Sequence, residues 1–152
     1  MRFSFLPGSD GLGYLAELGE YIMVRYEVTP ADRHLIADAL AVLDRNFDGI
    51  HYYHTVGCAL RCKNGAVYKG VNCDGNHGAC AEYITVGMAI SAGERDFDTI
   101  VAVHPGHRNS VISPCGNCRQ MMYESCPDLL VIVNDEHGEL IKVQARDLLP
   151  FP

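Results

Sequence analysis

Three cysteines and one glutamate stand at two predicted helix starts and have the spacing of a catalytic metal site. Cys115 and Cys118 are three residues apart, so on a helix their thiols share one face and can bind the same ion. Cys80 would be the third ligand. Three protein ligands leave one open position on a tetrahedral zinc ion, and a water bound there has its pKa lowered towards ~7. Glu82, two residues after Cys80, is suitably placed to move a proton of that water.

Each of these residues also has a purely structural interpretation. The pair Cys115 and Cys118 alone would fit a redox motif or half of a structural zinc site. His77, three residues before Cys80, could close the site as a fourth ligand and leave the zinc without chemistry. We favour the catalytic interpretation, because a closed site gives Glu82 no role. The remaining cysteines are expected to be small hydrophobic residues of the core: Cys58, Cys62, Cys73 and Cys126.

The combined pattern is that of the zinc deaminases. It consists of Cys80-Ala81-Glu82 and, further along, Pro114-Cys115-Gly116-Asn117-Cys118. From about residue 29 to residue 150 the sequence resembles the small, homotetrameric cytidine deaminases and their relative, blasticidin-S deaminase. The other segments that carry the resemblance are Gly70-Val71-Asn72, Ser113, Arg119-Gln120 and Leu148-Leu149-Pro150.

The resemblance implies a zinc-dependent aminohydrolase with one zinc ion per chain. Its substrate would be a free cytosine nucleoside or an analogue of one, and Glu82 would protonate first N3 of the ring and then the departing amine. The main chain near Ala81 and Ser113 would orient the ring, and Asn72 would bind the ribose. The alternative substrate is an aminonucleoside antibiotic such as blasticidin S. The alternative of another class is a non-catalytic, zinc-stabilised interaction domain.

Several positions depart from the resembled cytidine deaminases. Asp74 stands where they usually have the longer Glu, which puts the sugar contact in question. Tyr83 replaces an Arg that often follows their Cys-Ala-Glu, and the loop from Asn72 to Cys80 is shorter, which favours the blasticidin-S branch. His54 stands where a Phe often lines the substrate pocket. Phe151 is the one aromatic residue that could serve as a lid lent to a neighbouring subunit.

Hydrophobic periodicity predicts alternating strands and helices. Thr29 can cap a helix that Pro30 begins, Ser113 and Pro114 repeat that signal, and Asn64-Gly65 indicates a hairpin turn. The predicted helices cover 30–46, 79–92 and 113–125, and the predicted strands cover 54–61, 66–72, 98–103, 129–133 and 139–143. The last two strands should be antiparallel, because only a tight turn fits between them. We therefore expect a three-layer α/β/α, cytidine deaminase-like fold with a mixed five-stranded sheet.

Composition narrows the class of protein further. The 152 residues are 48% hydrophobic and 20% charged, which is typical of a globular domain. A net charge of −7 argues against a nucleic acid polymer as partner and leaves a small-molecule substrate. We expect no membrane span, no secretory signal and hence a cytoplasmic protein with reduced thiols. Residues 29–152 are expected to form the catalytic domain, and residues 1–28 an extension of unclear role.

Two groups of basic residues could have either a functional role or a role at the surface. His104, His107 and Arg108 follow a predicted strand on the side where ligands of α/β sheets bind, so they could flank the site or form a solvated loop. Arg119 could balance the charge of the thiolates or pair at the surface, and we favour the first role.

Overall fold

The computed structural model describes residues 5–6, 13–18, 21–107 and 109–150, and it describes side chains from residue 23 onwards. These residues form nine strands, three α-helices and one 3-10 turn. The strands are β1 Phe5–Leu6, β2 Gly13–Leu18, β3 Tyr21–Glu27, β4 Gly57–Cys62, β5 Val67–Val71, β6 Phe97–Val103, β7 Val111–Ile112, β8 Leu130–Asn134 and β9 Leu140–Gln144. The helices are α1 Pro30–Asn46, α2 Ala81–Ser91 and α3 Gly116–Ser125, and the 3-10 turn is Ala145–Leu148. None of the helices within these ranges is long and apolar enough to cross a membrane.

The strands form one mixed sheet in the order β1-β2-β3-β9-β8-β6-β4-β5, and β7 pairs with β6. The pair β6 and β8 is parallel, and the other pairs are antiparallel. The five predicted strands are β4, β5, β6, β8 and β9. They are neighbours in the sheet, in the spatial order β9-β8-β6-β4-β5. The hairpin of β4 and β5 and the antiparallel pair of β8 and β9 are both confirmed.

The expected number of five strands was too low, because the described residues contain nine. Three of the additional strands come from the segment before residue 28, where four glycines interrupt the hydrophobic pattern. The strand β3 extends the sheet at the edge of β9, with Tyr26 opposite Lys142 and Glu27 opposite Ile141. The fourth, β7, has only two residues, too few to show a period of two.

Helices cover both faces of the sheet, which confirms the three-layer architecture. Side chains of β4 alternate between the faces, as the pleat of a strand requires. Cys58 and Leu60 belong to the hydrophobic cluster that contains α2 and α3 residues, whereas Ala59 belongs to the cluster that contains α1 residues. Cys58 and Cys62 are fully buried, as expected for cysteines that act as small hydrophobic residues.

The helix α1 begins at the predicted cap, Thr29, and the residues of this cap also belong to a buried cluster of charged side chains. Thr29 Oγ1 accepts from the main-chain N–H of Asp32 (3.3 Å), and Asp32 Oδ2 accepts from the N–H of Thr29 (2.9 Å). The Asp32 carboxylate is fully buried and accepts from Arg61 Nη2 and Lys142 Nζ, each at 2.7 Å. This cluster joins α1 to β4 and β9.

The other two helices begin later than predicted, and a cysteine is the N-cap of each. Cys80 is the N-cap of α2 and Cys115 is the N-cap of α3, each with an extended backbone. The expectation that Ser113 and Pro114 open α3 was wrong: the N-cap is Cys115, whose backbone is extended, and the first helical residue is Gly116. Each of these helix starts therefore presents a thiol.

A glycine in β5 allows the sheet to approach α2 closely. A Cβ atom on Gly70 would lie 2.8 Å from Thr85 Oγ1 and 3.1 Å from Ile84 Cγ2, closer than such atoms tolerate. Thr85 Oγ1 itself donates to the carbonyl of Ala81 (2.8 Å), in the first turn of the helix. The close approach therefore sets the position of the turn that carries Glu82.

Candidate functional site

Three thiols from the two helix starts converge in space. Cys80 Sγ lies 3.6 Å from Cys115 Sγ, and the sulfur atoms of Cys80, Cys115 and Cys118 all lie within 4.8 Å of one another. Tetrahedral zinc with Zn–S bonds of ~2.3 Å holds its sulfur ligands ~3.8 Å apart. The spacing fits one zinc ion, so this group could hold the metal without rearrangement of the backbone.

The electrostatics of the three thiols also favour a cation. Burial raises the pKa of Cys115, but hydrogen bonds from the N–H of Cys118, from the neighbouring thiols and from the N–H of Asn117 bring it below its usual value. Burial raises the pKa of Cys80, and burial together with the Glu82 charge raises that of Cys118. Burial and the neighbouring charges therefore disfavour the thiolate forms of Cys80 and Cys118, and a bound divalent cation would stabilise all three thiolates.

Glu82 lies in the first turn of α2 and is 4% exposed. Burial raises the pKa of its carboxyl group, while hydrogen bonds to its own main-chain N–H and to the Cys118 thiol lower it. A raised pKa makes this carboxyl group a better proton acceptor than an ordinary glutamate, which a group that takes up and passes on a proton requires. Its position beside the thiols therefore suits proton transfer.

No fourth ligand joins the three thiols among the His, Cys, Asp and Glu side chains of the described residues. His77, the candidate for a closed Cys₃His site, is exposed and does not belong to the group. One coordination position thus stays available for water, as in catalytic rather than structural zinc sites.

Cys80, Cys115 and Glu82 lie in the wall of a pocket of about 350 Å³, and Cys118 is fully buried. Four segments line it: the residue before β4, the loop that follows β5, the start of α2 and the segment from β7 to α3. The lining residues are Val56, Asn72, Cys73, Asp74, Gly75, Gly78, Ala79, Cys80, Ala81, Glu82, Ile112, Ser113 and Cys115. The pocket thus brings together, from distant parts of the chain, most of the predicted substrate-binding residues.

A hydrogen-bonded cluster forms one side of this pocket. Asn72 Nδ2 donates to Asp74 Oδ1 (3.1 Å), and the main-chain N–H of His54 donates to Asp74 Oδ2 (2.7 Å). His54 Nδ1 lies 2.9 Å from the carbonyl of Asn72. His54 does not itself line the pocket, but it contacts two residues that do.

The sequence did not predict several other lining residues, because they belong to no motif that indicates chemistry. Cys73, expected in the core, is exposed and lies in the pocket wall, where its main chain pairs with that of Ala79. The pairing closes the short loop between Asn72 and Cys80. Gly78 makes this possible, because a Cβ atom there would lie 2.7 Å from the carbonyl oxygen of Cys73.

Three of the predicted basic residues, His104, His107 and Arg119, do not line the pocket. His104 and His107 pack edge to face with ring centroids 5.2 Å apart, and neither lines the pocket. Arg119 donates to the main-chain carbonyls of Pro114 (2.8 Å) and Leu148 (3.2 Å), so its hydrogen bonds hold the segment before Cys115. Arg108 and Phe151 lie outside the described residues.

The three-layer fold and the three-thiol group define a zinc deaminase. A family model described as the cytidine and deoxycytidylate deaminase zinc-binding region matches residues 31–134, well over half of the chain. The chain therefore belongs to the cytidine and deoxycytidylate deaminase family. It is a zinc-dependent hydrolase that removes an amine.

Curated proteins and solved structures agree with this family. A blasticidin-S deaminase from Bacillus cereus is 38% identical over 107 residues, which span 64% of this chain and 76% of that protein. A cytidine deaminase from Halalkalibacterium halodurans is 37% identical over 99 residues, 62% of this chain and 74% of that protein. The crystal structure of cytidine deaminase from Burkholderia pseudomallei aligns with a TM-score of 0.65 and 33% identity, covering 78% of this chain and 95% of that chain.

Proposed function

We propose that the protein hydrolyses the amine of a free cytosine nucleoside, converting cytidine or deoxycytidine to uridine or deoxyuridine and ammonia. The observation that carries this proposal is the position of Glu82 in a pocket of about 350 Å³, buried beside three thiols that no fourth ligand joins among the described residues. Pockets of ~300–1,000 Å³ are the usual size for small ligands.

Each residue of the site would have a separate role in the reaction. Cys80, Cys115 and Cys118 would hold zinc, which supplies a water of lowered pKa when bound. Glu82 would take a proton from this water and deliver it first to N3 of the ring and then to the departing amine. The main chain at Ala81 and Ser113, in the pocket wall, would orient the ring.

The charges of the pocket favour a nucleoside over a nucleotide. The charged side chains among its lining residues are the carboxylates Asp74 and Glu82, and no Lys or Arg of the described chain lines it. A phosphate group is normally bound by Arg or Lys side chains or by a helix N-terminus, and the two helix starts at this pocket carry the thiols and Glu82 that we propose for catalysis. The net charge of −7 would also repel phosphate.

Blasticidin S is the second candidate substrate. The relative from Bacillus cereus supports it, and so do Asp74 and Tyr83, which differ from the residues usual in the resembled cytidine deaminases. Asp74 already accepts hydrogen bonds from Asn72 and His54. An altered sugar contact would suit a nucleoside whose sugar is not ribose.

We also propose that the chain forms a homotetramer. An apolar surface on α2 supports this, with Tyr83, Met88 and Ile90 between 37% and 47% exposed. Tyr68, Ile84 and Gly87 continue this surface as a shallow groove. Clustered apolar residues on one face of a monomer typically mark a contact with another protein, here a second copy of the chain.

The domain division and the cellular location are further proposals. We propose that residues 29–152 form the catalytic domain and that residues 1–28 are an extension whose last strand joins the sheet; the family match from residue 31 supports this division. All seven cysteines are free thiols, which supports a reducing, cytoplasmic environment.

A substrate screen tests the proposed function. Zinc-loaded protein is incubated with cytidine, deoxycytidine, deoxycytidine monophosphate, cytosine and blasticidin S, and ammonia release is measured. Glu82→Gln, loaded with the same amount of zinc, is the matched control. We expect turnover of a nucleoside and little of the nucleotide. Preference for the nucleotide, or no ammonia from any compound, would contradict the proposal.

A further inference from the structure

We propose that Arg119 is a positioning residue of the zinc site, and that through it the C-terminal turn Ala145–Leu148 fixes the segment that carries the ligand Cys115. This inference rests on the proposed set of zinc ligands. It differs from the role in charge balance that the sequence favours for Arg119, because the guanidinium group would act through two directed hydrogen bonds.

Cys115 is the ligand that the hydrophobic core holds least. It is exposed, whereas Cys118 is fully buried and Cys80 is partly buried. Cys115 is also the N-cap of α3, so its extended backbone lies outside the helix. Hydrogen bonds from the main-chain N–H groups of Asn117 and Cys118 hold its sulfur from the side of the helix. The chain that precedes Cys115 needs a separate contact to hold it.

Arg119 makes this contact at Pro114. Pro114 is buried, and its carbonyl oxygen accepts from Arg119 Nε at 2.8 Å. Within the described ranges, this carbonyl has no other hydrogen-bond donor. A buried carbonyl that loses its donor is unfavourable, so the segment would shift to find another. Because Ser113 and Cys115 both line the pocket, such a shift would displace a zinc ligand and the main chain that we propose for ring binding.

The same guanidinium group is held from its other side by the C-terminal turn. Arg119 Nη1 donates to the carbonyl of Leu148 at 3.2 Å. The turn is itself fixed, because the N–H of Ala145 donates to the carbonyl of Leu129 at 2.9 Å, directly before β8. A planar guanidinium group keeps its donors in one rigid arrangement, which the single ammonium group of a lysine does not reproduce. Arg119 therefore connects the Pro114 carbonyl to a fixed part of the fold.

The zinc affinity of Arg119 variants tests this assignment without any substrate. A chelator of known zinc affinity competes for the metal with wild type, Arg119→Met and Arg119→Lys. We expect Arg119→Met to weaken zinc binding by about 10- to 100-fold, the usual effect of removing a group that orients a metal ligand. Arg119→Lys keeps the charge but cannot serve both carbonyls in the same arrangement, so most of the loss should remain.

Arg95 provides the matched control. Its Nη1 donates to the main-chain carbonyls of Ile90 (2.9 Å) and Glu94 (2.6 Å), at the opposite end of α2 from Cys80. Arg95→Met therefore removes a similar pair of bonds away from the thiols, and we expect its zinc affinity to equal that of wild type. Denaturant unfolding of the metal-free proteins shows whether each variant folds; if Arg119→Met does not, Arg119→Lys alone decides the test.

Unchanged zinc affinity in Arg119→Met would overturn the assignment. Wild-type affinity in Arg119→Lys would also overturn it, because charge alone would then suffice, and an equal loss in Arg95→Met would show a general effect of stability. These results concern Arg119 and leave the proposed deaminase function intact. Wild-type protein that binds no zinc, or full zinc occupancy in Cys115→Ala, would instead contradict the proposed ligand set and the function that depends on it.

Discussion

Replacement of Asp32 by Asn should destabilise the protein strongly, although the site lies elsewhere. Asp32 is fully buried and accepts from Lys142 Nζ and Arg61 Nη2 at 2.7 Å and from the N–H of Thr29 at 2.9 Å. An Asn of the same shape has no charge and turns an NH₂ group towards one of these donors. Lys142, which is itself buried, would then lose its counter-ion.

The magnitude follows from the pKa of Asp32 and from the cost of an unpaired buried charge. Burial raises the pKa of Asp32, but hydrogen bonds from Lys142, Thr29 and Arg61 outweigh it and lower the pKa from 3.8 to about 2. That difference corresponds to about 2 kcal/mol. Removal of one partner of a buried ion pair costs about 3–5 kcal/mol. We therefore expect Asp32→Asn to lower the free energy of unfolding by about 3 kcal/mol.

Denaturant unfolding at pH 7, at one fixed protomer concentration, measures this loss. Asp38→Asn is the matched control: Asp38 Oδ1 lies 3.0 Å from Lys69 Nζ, but both side chains are over a third exposed. Such a pair contributes about 0–1 kcal/mol. Equal, small losses in the two variants would show that the buried cluster does not stabilise the fold as described.

The same carboxylate predicts the acid dependence of stability. Because folding lowers the pKa of Asp32, its contribution is complete above pH 3.8 and is lost as the pH falls towards about 2. The difference in stability between wild type and Asp32→Asn should therefore be constant from neutral pH down to about pH 5 and shrink below about pH 4. A difference that stays constant through this acidic range would refute the assigned ionisation.

Three further predictions concern the metal, the chemistry and the assembly. Cys115→Ala should lose most of its zinc and be less stable, since one of three ligands is gone; full zinc occupancy by metal analysis would refute the ligand set. Glu82→Gln should keep zinc and fold but lose about 10²–10⁴-fold in turnover, and full activity would mean that another group moves the proton. Met88→Asp, on the apolar surface of α2, should shift light scattering from a tetramer towards smaller species, and a wild-type monomer at micromolar concentration would contradict the proposed assembly.

Local sequence signals predicted most of the helices and strands well, and they also indicated the three cysteines that could hold a metal ion. The Thr29 cap followed by Pro30, the apolar face of α1 and the Asn64-Gly65 turn act over a few residues, and the structure has all three. Cys115 and Cys118 share one helix start, so their spacing alone indicates that they can bind one ion. Glu82 is likewise indicated by local spacing, because it lies in the helix turn that follows Cys80.

Features that depend on distant contacts were decided by the tertiary structure. The strand β3 pairs with β2 at five positions and with the edge of β9 at two, and no periodicity before residue 28 shows these pairings. The distance of 3.6 Å between Cys80 and Cys115 depends on how α2 and α3 pack on one face of the sheet. Asp74 has an ordinary sequence environment, yet its hydrogen bonds reach back twenty residues to His54. Sequence spacing encodes contacts within an element, whereas contacts between elements arise only when the sheet brings them together.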